Sequence, residues 1–127
     1  MKNIRLSPIE GMLIRELEEA GEECIVTMLN TFFPRFPKMS KADFLITMSQ
    51  SMRNLIERGL IGLSIDSKIP GLKSVPIEGA KVESYLRLPV MVFWNGQEKM
   101  WNWDTDSTGE YATSIILTEA GYKALTT

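Results

Sequence analysis

The chain has no histidine and a single cysteine, Cys24. Without imidazole there is no Ser–His or Cys–His nucleophile pair and no histidine metal site. One thiol excludes an intrachain disulfide and a cysteine-based metal centre, and it suits a reducing cytosol. No run of roughly 18 apolar residues occurs, so no transmembrane helix is expected. The opening residues, MKNIRLSPIEG, lack the apolar centre of a secretion signal, and a cytoplasmic location is the expectation. There is no Walker loop, no GxGxxG, no internal repeat and no low-complexity segment. No catalytic residue, metal ligand or cofactor is assigned, and the chain is not read as an enzyme.

What is present is one domain, residues 1–127, at a length that buries roughly two thirds of its unfolded surface. With 44% hydrophobic and 24% charged residues it reads as globular rather than disordered. The net charge of −2 argues against a nucleic-acid partner, but its distribution does not. Residues 1–34 carry three basic and six acidic side chains, and residues 82–127 carry the same numbers. Residues 35–81 carry eight basic and four acidic ones. Positive charge is therefore concentrated in the middle of an acidic chain.

The middle segment also carries the clearest periodicity. Over SKADFLITMSQSMRNLIERGLI, Ser40 caps a helix, Asp43 follows three residues on, and Gly59 ends it. Phe44, Leu45, Met48, Met52, Leu55 and Ile56 share one face. The opposite face holds Asp43, Thr47, Gln50, Ser51, Arg53, Asn54 and Arg58. It is rich in short hydrogen-bonding groups and poor in Glu and Lys, unlike a face that only needs solvation.

Two helices are predicted before it. The first starts at Ser7, has Pro8 in its first turn, ends near Gly21 and buries Ile9, Met12, Leu13, Leu17 and Ala20. The second spans Glu22 to Phe33, with Ile25, Met28, Leu29, Phe32 and Phe33 at helical spacing and Cys24 on the apolar side. Pro34 and Pro37 break the chain before the third helix. After Gly59 a short strand is expected over Leu60–Ile65, then a loop over 67–80 and β structure from Val82. Asn95-Gly96 signals a two-residue hairpin turn pairing Val92 with Lys99, Val90 with Trp101 and Leu88 with Trp103. A last strand, Tyr111–Leu117, precedes a short helix capped by Thr118. The divisions are a helical part over 7–59, a β region over 60–117 and a closing helix over 118–126.

Helices followed by a β region and a closing helix are the order of an α+β winged helix-turn-helix domain. LIERGLIGL, residues 55–63, resembles the end of the recognition helix in MarR-like and PadR-like regulators. ILTEAGYKAL, residues 116–125, resembles their exit from the wing. The resemblance implies three N-terminal helices, an enlarged antiparallel β wing and a short C-terminal helix. It implies a transcription regulator that binds double-stranded DNA, with the helix over 40–58 in the major groove. Lys38 and Lys41 would meet phosphates, Thr47, Gln50, Ser51 and Asn54 base edges, and Arg53 either. Lys68 and Lys73, in the 67–81 loop, would contact the backbone as a wing does. The enlarged wing, the two prolines before the third helix and the absence of a long terminal helix depart from the pattern.

Other motifs carry less. Lys38-Met39-Ser40-Lys41 matches the KMSK signature of class I aminoacyl-tRNA synthetases, but the histidine-containing partner motif is impossible here. Asp104–Gly109 opens like a calcium loop, but the twelfth position is Ile115. The β ribbon reads as apolar on both sides, with Trp101, Trp103 and nearby Trp94 against Met91, Phe93 and Met100. A ribbon needing two covers suggests a homodimer interface, or a protein partner in place of DNA.

Overall fold

A computed structural model describes residues 5–67, 75–77, 79, 81–104 and 111–124. The architecture is α+β, with a four-stranded antiparallel sheet, a separate two-stranded ribbon and helices packed on both.

Helix α1, Pro8–Ala20, begins with a full capping box: Ser7 Oγ accepts from the Glu10 amide, and Glu10 accepts from the Ser7 amide. It ends at Gly21, whose φ of 77° lies where a side chain is costly. Its buried stripe is Glu10, Leu13, Ile14 and Leu17. Ile14 therefore replaces the expected Ala20, which is exposed, while Ile9 and Met12 are only partly covered.

The expected second helix begins three residues later than predicted. Glu22–Cys24 form strand β1, and helix α2 is Ile25–Phe32, with Phe33–Arg35 tightening into a 3-10 turn. Glu22–Cys24 pair with Ile116, Ile115 and Ser114 of strand β6, Tyr111–Leu117. A partner some ninety positions away overrides local helix preference, and it takes Cys24 out of the helix.

Helix α3, Lys41–Glu57, starts on the Ser40 cap. At its end the Leu60 amide donates to Leu55 O and the Gly59 amide to Ile56 O, a Schellman closure with Gly59 at φ 74°. The chain turns there into strand β2, Ile61–Ser67, which pairs along its whole length with β6. A short strand β3, Val75–Ile77, lies on the other side of β2, inside the stretch expected to be loop. The sheet order is β1-β6-β2-β3.

The region from Val82 departs most from expectation. Single helical turns α4, Lys81–Ser84, and α5, Leu88–Met91, stand where strand was expected. The ribbon is β4, Val92–Asn95, with β5, Met100–Trp103. Its register is Val92 with Trp103, Phe93 with Asn102, Trp94 with Trp101 and Asn95 with Met100. The predicted two-residue turn is a four-residue one, because Asn95 Oδ1 accepts from the amides of both Gln97 and Glu98. Lys99 closes the turn at a positive φ of 55°.

The closing helix α6, Glu119–Ala124, is capped by Thr118, whose Oγ1 accepts from the Gly121 amide and donates to Gly59 O. One core joins these elements: Leu13, Leu17, Met28, Leu29, Met48 and Met52 are fully buried, beside Leu63, Ile115 and Leu117 of the sheet.

Candidate nucleic-acid interface

The amphipathic pattern of α3 sorts its side chains much as expected. Phe44, Leu45, Met48, Met52 and Leu55 are buried and Ile56 is partly covered. On the other side Gln50 is exposed and Thr47, Arg53 and Asn54 are half-buried, while Lys41, exposed at the first position of the helix, reaches over the Trp94 ring. Ser51, assigned to a base edge, is 8% exposed and belongs to the buried side. Ile46 had no assignment, yet it is 59% exposed and lies one helical turn before Gln50.

Positive charge gathers where the chain enters α3. Arg35, Lys38 and Asp43 line an open cleft of about 530 Å³ with Phe36, Pro37 and Met39. Arg35 stands over the Phe32 ring at 5.1 Å, and Lys41 over the Trp94 ring at 5.3 Å. Both aromatic supports restrain long cationic side chains without neutralising them.

A polar chain runs along the outward side of α3. Arg53 Nε and Nη2 donate to Glu83 Oε1 and Oε2 at 2.5 and 3.0 Å. Arg53 Nη1 donates to Gln50 Oε1 at 3.1 Å, and Gln50 Nε2 donates to Asn54 Oδ1 at 2.9 Å. The hydrogen bond from Arg53 holds the Glu83 carboxyl below the usual carboxylate range, and the Glu83 bond raises the guanidinium in turn. Glu83 belongs to α4, so the segment between β2 and β6 reaches back onto α3. A shallow groove of about 340 Å³ separates α3 from α5, with Ile46, Gln50 and Arg53 on one wall and Arg87, Pro89 and Val90 on the other.

The residues expected at an interface between subunits lie mostly inside the chain. Trp101 is 2% exposed and sits among Phe33, Phe44 and Trp94, with ring centroids at 5.5, 6.2 and 5.3 Å. Asn30 of α2 fixes its backbone, accepting from the Trp101 amide and donating to the Trp101 carbonyl. Met91 is buried, and Trp94 and Trp103 pack against the core. Met100 is half-buried, and Phe93, at 48%, is the exposed member of the set. The tryptophan face of the ribbon is thus covered by α2 and α3 of the same molecule.

Lys68 and Lys73 lie outside the described residues. Among the described residues no cluster of acidic, cysteine or histidine side chains could hold a metal ion. No helix among them is long and apolar enough to cross a membrane. Ile46 was detectable in the sequence as an apolar residue off the buried stripe. Glu83 and Arg87 were not, because their proximity to α3 spans about thirty residues and depends on the tertiary path. Comparison with known protein families, with curated proteins and with solved structures returns no match.

Proposed function

We propose that this protein is a winged helix-turn-helix domain that binds double-stranded DNA through α3, as a regulator of transcription or a related DNA-binding factor. The observation that carries the reading is topological. The order α1, β1, α2, α3, β2, β6, with β6 paired between β1 and β2, leaves one face of α3 turned outward. That order is what a winged-helix reading expects, and on this reading β3, α4, α5 and the β4–β5 ribbon are an insertion where a wing belongs. Charge supports it: Arg53 and Arg87 border the groove beside α3, Arg35 and Lys38 line the cleft at its entry, and Lys41 is exposed at its first position. Lys38 and Lys41 suit phosphates, and Gln50, Arg53 and Asn54 suit base edges. Asp43 and Glu83 oppose DNA locally, which confines close phosphate contact to the entry of α3 and the Arg87 side.

The test is fluorescence anisotropy of labelled random-sequence duplex, at low and near-physiological salt, with the native protein and a K38A/K41A/R53A variant. Binding is expected to weaken with salt, by a log–log slope of about −0.9 per phosphate neutralised, and the variant should bind more weakly with a shallower slope. Absence of binding at low salt, where non-specific contacts are strongest, overturns the DNA reading.

A second reading is a winged-helix module for protein–protein contact. The exposure of Ile46, Val90 and Phe93, at 59, 59 and 48%, favours it, because large apolar side chains on a surface often mark a partner site. A complex that persists at high salt and is lost in an I46D/V90D variant would support this alternative.

A further inference from the structure

We infer that Arg53 is a base-reading residue that selects guanine in the major groove, and that Glu83 is its positioning residue. This rests on the DNA reading above and gives its target a chemical class: a duplex site with a guanine opposite the C-terminal half of α3.

Donor counting carries the argument. A guanidinium has five N–H donors in a planar fork. In Arg53 three are used: one on Nε and one on Nη2 to Glu83, and one on Nη1 to Gln50. The remaining two are on Nη1 and Nη2, the two nitrogens that can meet guanine O6 and N7 together. The Nε edge, which otherwise competes for an acceptor, is occupied by the Glu83 carboxylate.

Position points the same way. Arg53 lies in the C-terminal half of a helix of 17 residues, beside Gln50 on the flank facing α4 and α5, whereas Lys38 and Lys41 stand at its entry. Its side chain is about one quarter exposed and is held from two directions, so the rotamer entropy of ordering an arginine is largely spent on folding. A phosphate contact needs only a mobile cation. A bidentate base contact needs a planar group held in one orientation, and Glu83 from the inserted segment supplies that restraint.

The experiment is selection from a randomised duplex library with the native protein, followed by affinity measurements on the selected site. A guanine is expected in it whose replacement by 7-deazaguanine weakens the native protein roughly five- to hundredfold, and leaves R53A unchanged. R53K keeps the charge but lacks the fork, so it should retain the salt slope and lose preference for guanine at that position. E83Q keeps the side-chain shape, and it should lower the guanine-to-adenine affinity ratio without flattening the salt slope. Circular dichroism and thermal unfolding establish that each variant is folded.

A site with no Arg53-dependent guanine, or an R53K protein with undiminished preference, overturns the inference and leaves DNA binding standing. So does an E83Q protein that keeps the native guanine-to-adenine ratio, since Glu83 would then not position Arg53. Failure to bind any duplex at low salt removes the DNA reading itself, and this inference with it.

Discussion

Gly121 shows how one residue can be dictated by a contact that local pattern does not reveal. A Cβ there would fall 2.2 Å from Leu60 O and 2.4 Å from Leu117 Cδ1. The closing helix therefore approaches the α3–β2 junction only because position 121 has no side chain. Gly121→Ala should destabilise by about 2–3 kcal/mol, read as a lower thermal midpoint, since the backbone carbonyl cannot yield as a side chain would. Glu23 makes a second residue-scale prediction. Burial, then the charge of Glu16 and a hydrogen bond with it, raise its pKa, and one carboxyl oxygen is buried without a partner. A folded-state pKa above the unfolded one means that the folded chain holds its proton longer. Stability from this group is full below the ordinary carboxylate range and declines as pH rises through and above it. Urea unfolding across that range should show the decline, and Glu23→Gln should remove it and make the protein more stable at neutral pH.

At the scale of elements, side chains that bond to another segment's backbone set the placement of the ribbon. Asn30 satisfies both the amide and the carbonyl of Trp101, binding β5 to α2. Asn30→Ala leaves a buried backbone N–H and C=O unpaired, at a cost of roughly 2–3 kcal/mol. Tryptophan fluorescence should shift red, and amide exchange should quicken across β4 and β5 before it changes in β2 and β6. Ser40→Ala tests a different element. It removes the acceptor for the Asp43 amide at the start of α3, and a loss of about 1 kcal/mol is expected from unfolding curves. That loss frays the turn carrying Lys41, so on the DNA reading non-specific affinity should fall along with stability.

For the whole molecule, two sheets imply two grades of stability. β2 and β6 pair over seven residues each and carry Leu63, Ile115 and Leu117 into the core. The ribbon is a pair of four-residue strands held to the helices by its aromatic cluster and by Asn30. Native-state hydrogen exchange should find the slowest amides in Ile61–Ile65 and Thr113–Leu117, with residues 92–103 opening at lower free energy. The charge pattern also acts at this scale. On the DNA reading, the cations at the entry of α3, on a protein of pI near 5.2, should orient it toward the duplex with the acidic end segments repelled, so that salt weakens binding steeply.

Much of the helical half was legible from sequence alone. Ser7 and Ser40, the glycines at 21 and 59 and the 3.6-residue apolar spacing are local signals, each acting within a turn or two of backbone. They determined α1, α3 and the turn into β2, and Thr118 acted in the same local way at the closing helix. Tertiary structure alone decided the rest. Glu22–Cys24 became a strand because β6 offered unpaired backbone groups beside it, a gain that local propensity does not register. The ribbon slipped from its predicted register because Asn95 bonds the turn amides and Asn30 clamps Trp101. The same holds for the candidate site. Periodicity identified the outward residues of α3, and only the fold brought Glu83 to Arg53, because a carboxylate thirty residues away becomes a neighbour through the path of the chain.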